Sequence, residues 1–286
     1  MTSRFVADRS PRGLVVVRGR DATSFLQSLV SQDLDPIGDG EHAAALLLSP
    51  QGKLDVAFRA LRVGEEWWLD TDAEYGPRLA TSLDRFRIRV QVELEDRTAT
   101  TGLATLVGVD AEPGPLHALA TRWGTEPGVD LLGPLTAVRD LVAGLPADVE
   151  RWPPERFDVF RIEAGVPRLG VDVDSATIPQ EAFLERDAVS FTKGCFVGQE
   201  LVCRIDTRGH VNRFLRGVRM PGSSPPPRGA TVVVDGRDRG AVTSAAAVPG
   251  EERVVGLAMV RREVEPPAAA IVRWDGEERA ASLVAL

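Results

Sequence analysis

The chain has 286 residues, 43% hydrophobic and 27% charged, a length and composition suited to about two domains with ordinary globular cores. Its 34 basic and 42 acidic residues leave a net charge of −8, a poor balance for a protein whose main task is gripping a phosphate backbone, so no direct nucleic-acid partner is expected. No apolar run approaches the ~20 residues of a membrane helix, and residues 1–8 carry no apolar signal segment, so the expected protein is cytoplasmic with no membrane partner.

In chain order, Leu14 to Val17 reads as a short buried strand, and Asp21 as the cap of a helix that lines up Phe25, Leu26, Leu29 and Val30 on one face. Residues 43–48 and 54–63 predict a hairpin around the turn Pro50-Gln51-Gly52-Lys53. Trp67 to Leu69 predicts another strand, Leu79, Leu83 and Phe86 a helix, and the alternation of Val90 to Leu94 a half-buried strand. That order suggests two helices against an antiparallel sheet in a split β-α-β layer, assigned to residues 1–100. A second α+β segment, 101–212, opens with a strand at 103–109 and carries helices at 135–144 and 153–164. The latter starts at Pro153-Pro154, where proline fits the first turn, and stops at Gly165, suited to a left-handed cap. Pro221 to Pro227 punctuates the approach to the third segment, 213–286. Its short β-rich runs at 230–234, 240–248, 254–264 and 269–274 predict a small barrel.

Of the 34 basic residues only Lys53 and Lys193 are lysine, and of the two cysteines Cys195 lies two positions after Lys193, in Lys193-Gly194-Cys195-Phe196-Val197-Gly198-Gln199-Glu200. Cysteine is commonly a small buried hydrophobe. A neighbouring cation, however, favours the thiolate, and flanking glycines admit a ligand to the backbone, which argues for a reactive thiol. Gln199 and Glu200 add an amide and a carboxylate. The stretch reads as a loop or short turn. Cys195 and Cys203 lack the paired spacing of structural zinc, so no metal site is expected. Arg204, Arg208, His210, Arg213 and Arg216 follow as either an anion-facing patch or a solvated face.

This octapeptide, together with Arg161-Ile162-Glu163-Ala164-Gly165-Val166-Pro167, Ile178-Pro179-Gln180-Glu181, the early run from Phe25 to Asp33 and Leu48 to Lys53, resembles the YgfZ family, folate-binding relatives of the glycine cleavage T protein. The resemblance covers essentially the whole chain. It implies an α+β, T protein-like fold: two α/β layers of antiparallel sheet with helices around a central folate pocket, plus a C-terminal small β-barrel. It implies tetrahydrofolate or a one-carbon derivative as cofactor, and iron–sulfur proteins or their assembly machinery as partners. A pterin needs a polar edge partner, flat walls and a cation for its glutamate tail. For these the candidates are Asp55, Glu163, Gln199, Glu200 and Arg161, with Phe157 or Phe25 as wall; Arg161 and Glu163 read equally as a structural pair, and each phenylalanine as core.

The resemblance further implies a role in folate-dependent assembly or maintenance of iron–sulfur clusters, with an indirect effect on tRNA-modifying cluster enzymes. Cys195 would then be the acting thiol and Lys193 its polarising neighbour. The alternatives are a non-catalytic folate-binding adaptor and an aminomethyltransferase of the glycine cleavage type. The latter is weakened because the turn carries one acid, Asp55, followed by Val56, where T proteins carry two.

Overall fold

In a computed structural model, which describes residues 4–286, the chain divides into two units. The first runs to Thr121 and takes in Pro127–Arg151 and Leu184–Thr207; the second comprises Arg122–Glu126, Trp152–Phe183 and Arg208–Leu286. The strands are β1 (Phe5–Asp8), β2 (Arg12–Arg18), β3 (His42–Leu48), β4 (Leu54–Val63), β5 (Glu66–Asp72), β6 (Glu93–Asp96), β7 (Thr101–Val107), β8 (His117–Trp123), β9 (Glu126–Pro134), β10 (Glu150–Trp152), β11 (Arg213–Pro221), β12 (Thr231–Val234), β13 (Arg237–Ala247), β14 (Arg253–Arg261), β15 (Ala268–Trp274) and β16 (Glu277–Val284). The helices are α1 (Ala22–Leu29), α2 (Gly76–Asp84), α3 (Leu135–Gly144), α4 (Pro154–Glu163), α5 (Glu185–Ala188) and α6 (Gln199–Arg208).

The first unit holds two five-stranded sheets, ordered β3-β4-β5-β2-β6 and β10-β1-β7-β9-β8. β7 is buried along its whole length, and the two-residue period of a strand explains how it serves both faces. Leu103 joins Leu14, Val16, Leu61, Leu119 and Leu132 in one core. Ala104 and Leu106, on the opposite face, pack with Val138 of α3. α1 buries Phe25, Leu26 and Leu29, each contributing about 1.5–3 kcal/mol by removal from water.

A buried ionic network runs through this unit. Arg12 pairs with Asp70 and Asp72, Arg59 with Asp70 and with Asp130 (2.6 Å), and Thr105 donates to Asp130 at 2.6 Å. Asp70 and Asp130 are 0% and 1% exposed, so their charges persist only because guanidinium groups face them. Burial alone would raise the Asp70 pKa; Arg12 and Arg59 more than reverse it and hold the carboxyl below its ordinary value.

In the second unit the closed barrel runs β11-β14-β13-β12-β15-β16. β16 pairs back onto β11 through Gly217 and Val284. Its interior is filled by small and β-branched residues, among them Val218, Val232, Val242, Val260 and Val272. α4 begins with proline at its first turn and ends before Gly165, whose φ of 73° is the left-handed stop the sequence predicts.

The expected α+β architecture with antiparallel sheets and a terminal barrel is thus present, and several local expectations change. Asp21 precedes α1 without capping it; its carboxylate accepts the Gln91 N–H at 2.7 Å instead. α2 ends at Asp84, which leaves Phe86 outside the helix and 42% exposed. The strand expected at Val90 begins at Glu93, where pairing with β2 starts. The Pro225 to Pro227 run lies between β11 and β12, within the barrel's own sequence. Phe5–Asp8, for which the sequence reading has no strand, pairs with β7 through Phe5 and Val107.

Candidate functional site

The sequence motifs of the first unit meet around the end of α1. Its last carbonyls have no partner within the helix, as at any helix C-terminus. Lys193 supplies one: its Nζ donates to the carbonyls of Gln27, Val30 and Gln32, each at 2.8 Å. A cation is favoured at this end by the helix dipole. Three carbonyls account for the three N–H groups of an ammonium, so Lys193 is a clamp on α1 and not the polarising neighbour of the thiol that the sequence suggests. Burial pulls its pKa down to about 8, with Asp33 and Asp35 working in the opposite direction.

Buried Ser31 ties the same region to the segment before the octapeptide. Its hydroxyl donates to the Ala188 carbonyl at 2.5 Å and accepts the Leu46 N–H at 2.8 Å, while its carbonyl accepts the Ser190 N–H at 2.9 Å. Gln32 Nε2 adds a bond to the Asp187 carbonyl at 2.8 Å. Sequence reasoning quotes Gln27, Ser31 and Gln32 within a family signature yet assigns them no role; the amide-hydroxyl-amide pattern at a helix end was the available signal.

The two glycine turns interlock. Gly52 (φ 70°) and Gly198 (φ 80°) both sit in the left-handed region. A Cβ on Gly198 would strike the Ser49 carbonyl and come 3.1 Å from Gly52 Cα, and one on Gly52 would meet the Gly198 carbonyl at 2.9 Å and Leu201 Cβ at 2.8 Å. Backbone approach this close is what glycine permits and no other residue does. The turn leading to Asp55 is thereby joined to the loop carrying Cys195.

Cys195 is exposed between two anchors, the Lys193 clamp and buried Phe196, whose N–H donates to Gln199 Oε1 at 3.2 Å. The loop expected for the octapeptide ends at Gly198. Gln199 and Glu200 open α6, with Glu200 exposed to solvent. Cys195, Gly194 and Lys193 line a cavity of about 480 Å³ together with Arg20, Gln27 and Asp35. Cys203 sits on α6, where burial and then Asp206 push its thiol pKa up.

Asp55, on β4, faces a different cavity of about 340 Å³ lined by Pro77, Arg78, Thr81, Ser82 and Arg85. Its carboxylate accepts Arg78 Nε at 2.7 Å and the Ser82 hydroxyl at 2.7 Å. A carboxylate with two arginines around one small-molecule-sized hollow offers an acceptor and cations to a polar or anionic ligand. Pro77 supplies apolar lining, and none of the residues around this cavity is aromatic. Phe25 is 5% exposed within the α1 core.

The remaining candidates lie in the second unit. Arg161 is 5% exposed and bonded through Nε to Asp158, through Nη1 to Asp172 (2.7 Å) and the Val166 carbonyl, and through Nη2 to Ser244 (2.9 Å). It is a buried structural hub and not a cation at a pocket mouth. Phe157 stacks edge-on with Trp123 at 5.0 Å in an aromatic cluster that includes Phe160. Glu163 pairs with Arg253 at 2.6 Å on the surface. In the basic run, Arg213 pairs with Glu181 at 2.9 Å and Arg216 lies over Phe214 at 4.8 Å. Among the described residues no group of three or more His, Cys, Asp or Glu could hold a metal ion, and no helix is long and apolar enough to cross a membrane.

No family model matches the chain. It is 29% identical over 285 residues to an aminomethyltransferase of Rubrobacter xylanophilus, covering 90% of this chain and 76% of that protein. It is 28% identical over 236 residues to the mitochondrial iron-sulfur cluster assembly factor IBA57 homolog of Mycosarcoma maydis, covering 75% of this chain and 57% of that one. It is 24% identical over 288 residues to the tRNA-modifying protein YgfZ of Escherichia coli, covering 92% and 87%. The crystal structure of glycine cleavage system aminomethyltransferase T from Bartonella henselae superposes with a TM-score of 0.83 at 22% identity over 99% of this chain and 86% of that one, which shows a shared fold. The chain is thus similar in sequence to aminomethyltransferase, IBA57 and YgfZ proteins, and in fold to the glycine cleavage T protein.

Proposed function

We propose that this protein binds a reduced folate and acts in the tetrahydrofolate-dependent assembly or maintenance of iron–sulfur clusters, with Cys195 as the acting thiol and any effect on tRNA-modifying enzymes indirect. The observation that carries the reading is the interlock of Gly52 with Gly198, which fixes the turn of Asp55 against the loop of Cys195. Asp55, Arg78 and Arg85 would hold the polar parts of the folate, which when bound would supply a one-carbon unit or a reactive nitrogen. Lys193 positions the loop by clamping α1, so the exposed thiol is presented from a fixed backbone. Relatives named as an iron-sulfur cluster assembly factor and as a tRNA-modifying protein support the same direction.

An aminomethyltransferase role fits less well. The residue after Asp55, Val56, is fully buried where a second acid would be needed. Complementation of a deletion strain separates the readings. Cys195→Ala is expected to fold normally and to leave cluster-enzyme activity unrestored; full restoration by Cys195→Ala would refute the thiol's role and favour a folate-binding adaptor.

A further inference from the structure

The barrel unit carries a second concentration of charge, opposite in sign to the chain as a whole. A cavity of about 520 Å³ is lined by Arg213, Arg228, Arg239 and Arg261, with Asp174 as its one acid. Arg213 is engaged by Glu181. Among the described residues Arg228, Arg239 and Arg261 have no acidic partner within ion-pair distance. The ladder brings these groups together: Arg261 is directly opposite Arg213 across β11 and β14, and Arg239 is next to Gly240, which pairs with Val260.

Gly240 allows the close approach of β13 to β14 beside the cavity, since a Cβ there would strike the Met259 carbonyl and come 2.9 Å from Val260 Cα. Met259 and Val242 contribute apolar lining. Guanidinium forks are matched to carboxylate and phosphate oxygens, and several around one hollow favour closely spaced anions over a single one. The size of the hollow suits a small molecule, and the net charge of −8 opposes a long polyanion such as a nucleic acid.

We propose that this barrel cavity binds a small molecule bearing two or more closely spaced anionic groups, held by Arg228, Arg239 and Arg261. The proposal is independent of the role of Cys195. Two sources share this chemistry, a phosphorylated metabolite and an oligo-γ-glutamate chain, so the probes are inorganic pyrophosphate and tri-γ-glutamate. Each is titrated calorimetrically at low salt into the full chain, into the Arg239→Ala/Arg261→Ala double variant and into Arg219→Ala, an exposed arginine of β11 that does not line the cavity. The wild type and Arg219→Ala should bind at least one probe equally, and the double variant, with an unchanged melting temperature, should bind it at least roughly ten-fold more weakly, since a charge-assisted contact is typically worth that factor. Whichever probe binds identifies the source. Failure of both probes to bind the wild type, or equal weakening by Arg219→Ala, overturns the proposal.

Discussion

Gly198→Ala tests the interlock that brings the two motifs together. The substitution has two separable effects. At φ 80° an L-residue pays the left-handed penalty of about 1–2 kcal/mol. The new Cβ also meets the Ser49 carbonyl, Gly52 Cα at 3.1 Å and Leu48 Cβ at 3.0 Å, two of them backbone atoms that cannot rotate away. Overpacking of that kind adds about 1–3 kcal/mol. Gly40 provides the control: its φ is 78°, yet a Cβ there meets nothing within 4 Å, so Gly40→Ala carries the first effect alone. In urea unfolding, Gly198→Ala should therefore lose about 2–5 kcal/mol and Gly40→Ala about 1–2 kcal/mol, with similar m-values. Equal losses in the two variants would show that the turns of Asp55 and Cys195 are not locked together, and the reasoning about the site would fail with them.

Asp130→Ala should lose about 1.5–3 kcal/mol in the same assay, because it removes one of the two carboxylates that face Arg59, takes the acceptor of the Thr105 hydroxyl and deprives Arg9 of its neighbour at 3.6 Å; a loss under about 1 kcal/mol would contradict the network's role. Thiol alkylation at pH 8 followed by peptide mass spectrometry should modify Cys195 well before Cys203, which is half-buried with a raised pKa; equal rates would refute the loop's exposure. Lys193 binds fewer protons folded than unfolded between about pH 8 and its ordinary 10.5, so its own contribution to stability rises with pH through that window and is lost as pH falls toward 8. The stability difference between wild type and Lys193→Met should accordingly grow from pH 8 to higher pH, and a flat or falling difference would contradict the burial of the ammonium.

What was legible in the sequence was whatever local patterns determine. α4 is framed by proline and glycine, the 43–63 hairpin by its turn, and the barrel by short β-rich runs, and all three stand in the structure. What escaped depends on distant partners. β1 is four residues long and becomes a strand only by pairing with β7 about a hundred positions away. β9 contains proline and glycine, which weaken a strand pattern, and no strand is expected there from the sequence. α6 starts directly after a glycine-rich loop, which hides its beginning. At the site the same limit holds. Lys193 looks toward Cys195 in sequence, while its ammonium finds carbonyls more than 160 residues earlier. Arg161 opens a family motif, and its guanidinium is spent on Asp172 and Ser244, the latter 83 residues on. Residue type and spacing named the motifs; only the fold shows which of their groups remain available.

The most direct measurement is a calorimetric titration of tetrahydrofolate into the wild type, Cys195→Ala and Asp55→Ala. The account predicts binding by the wild type, undiminished binding by Cys195→Ala because the thiol is reserved for a later step, and markedly weaker binding by Asp55→Ala. No detectable binding to the wild type would contradict the central claim and leave the interlocked turns without a folate to serve.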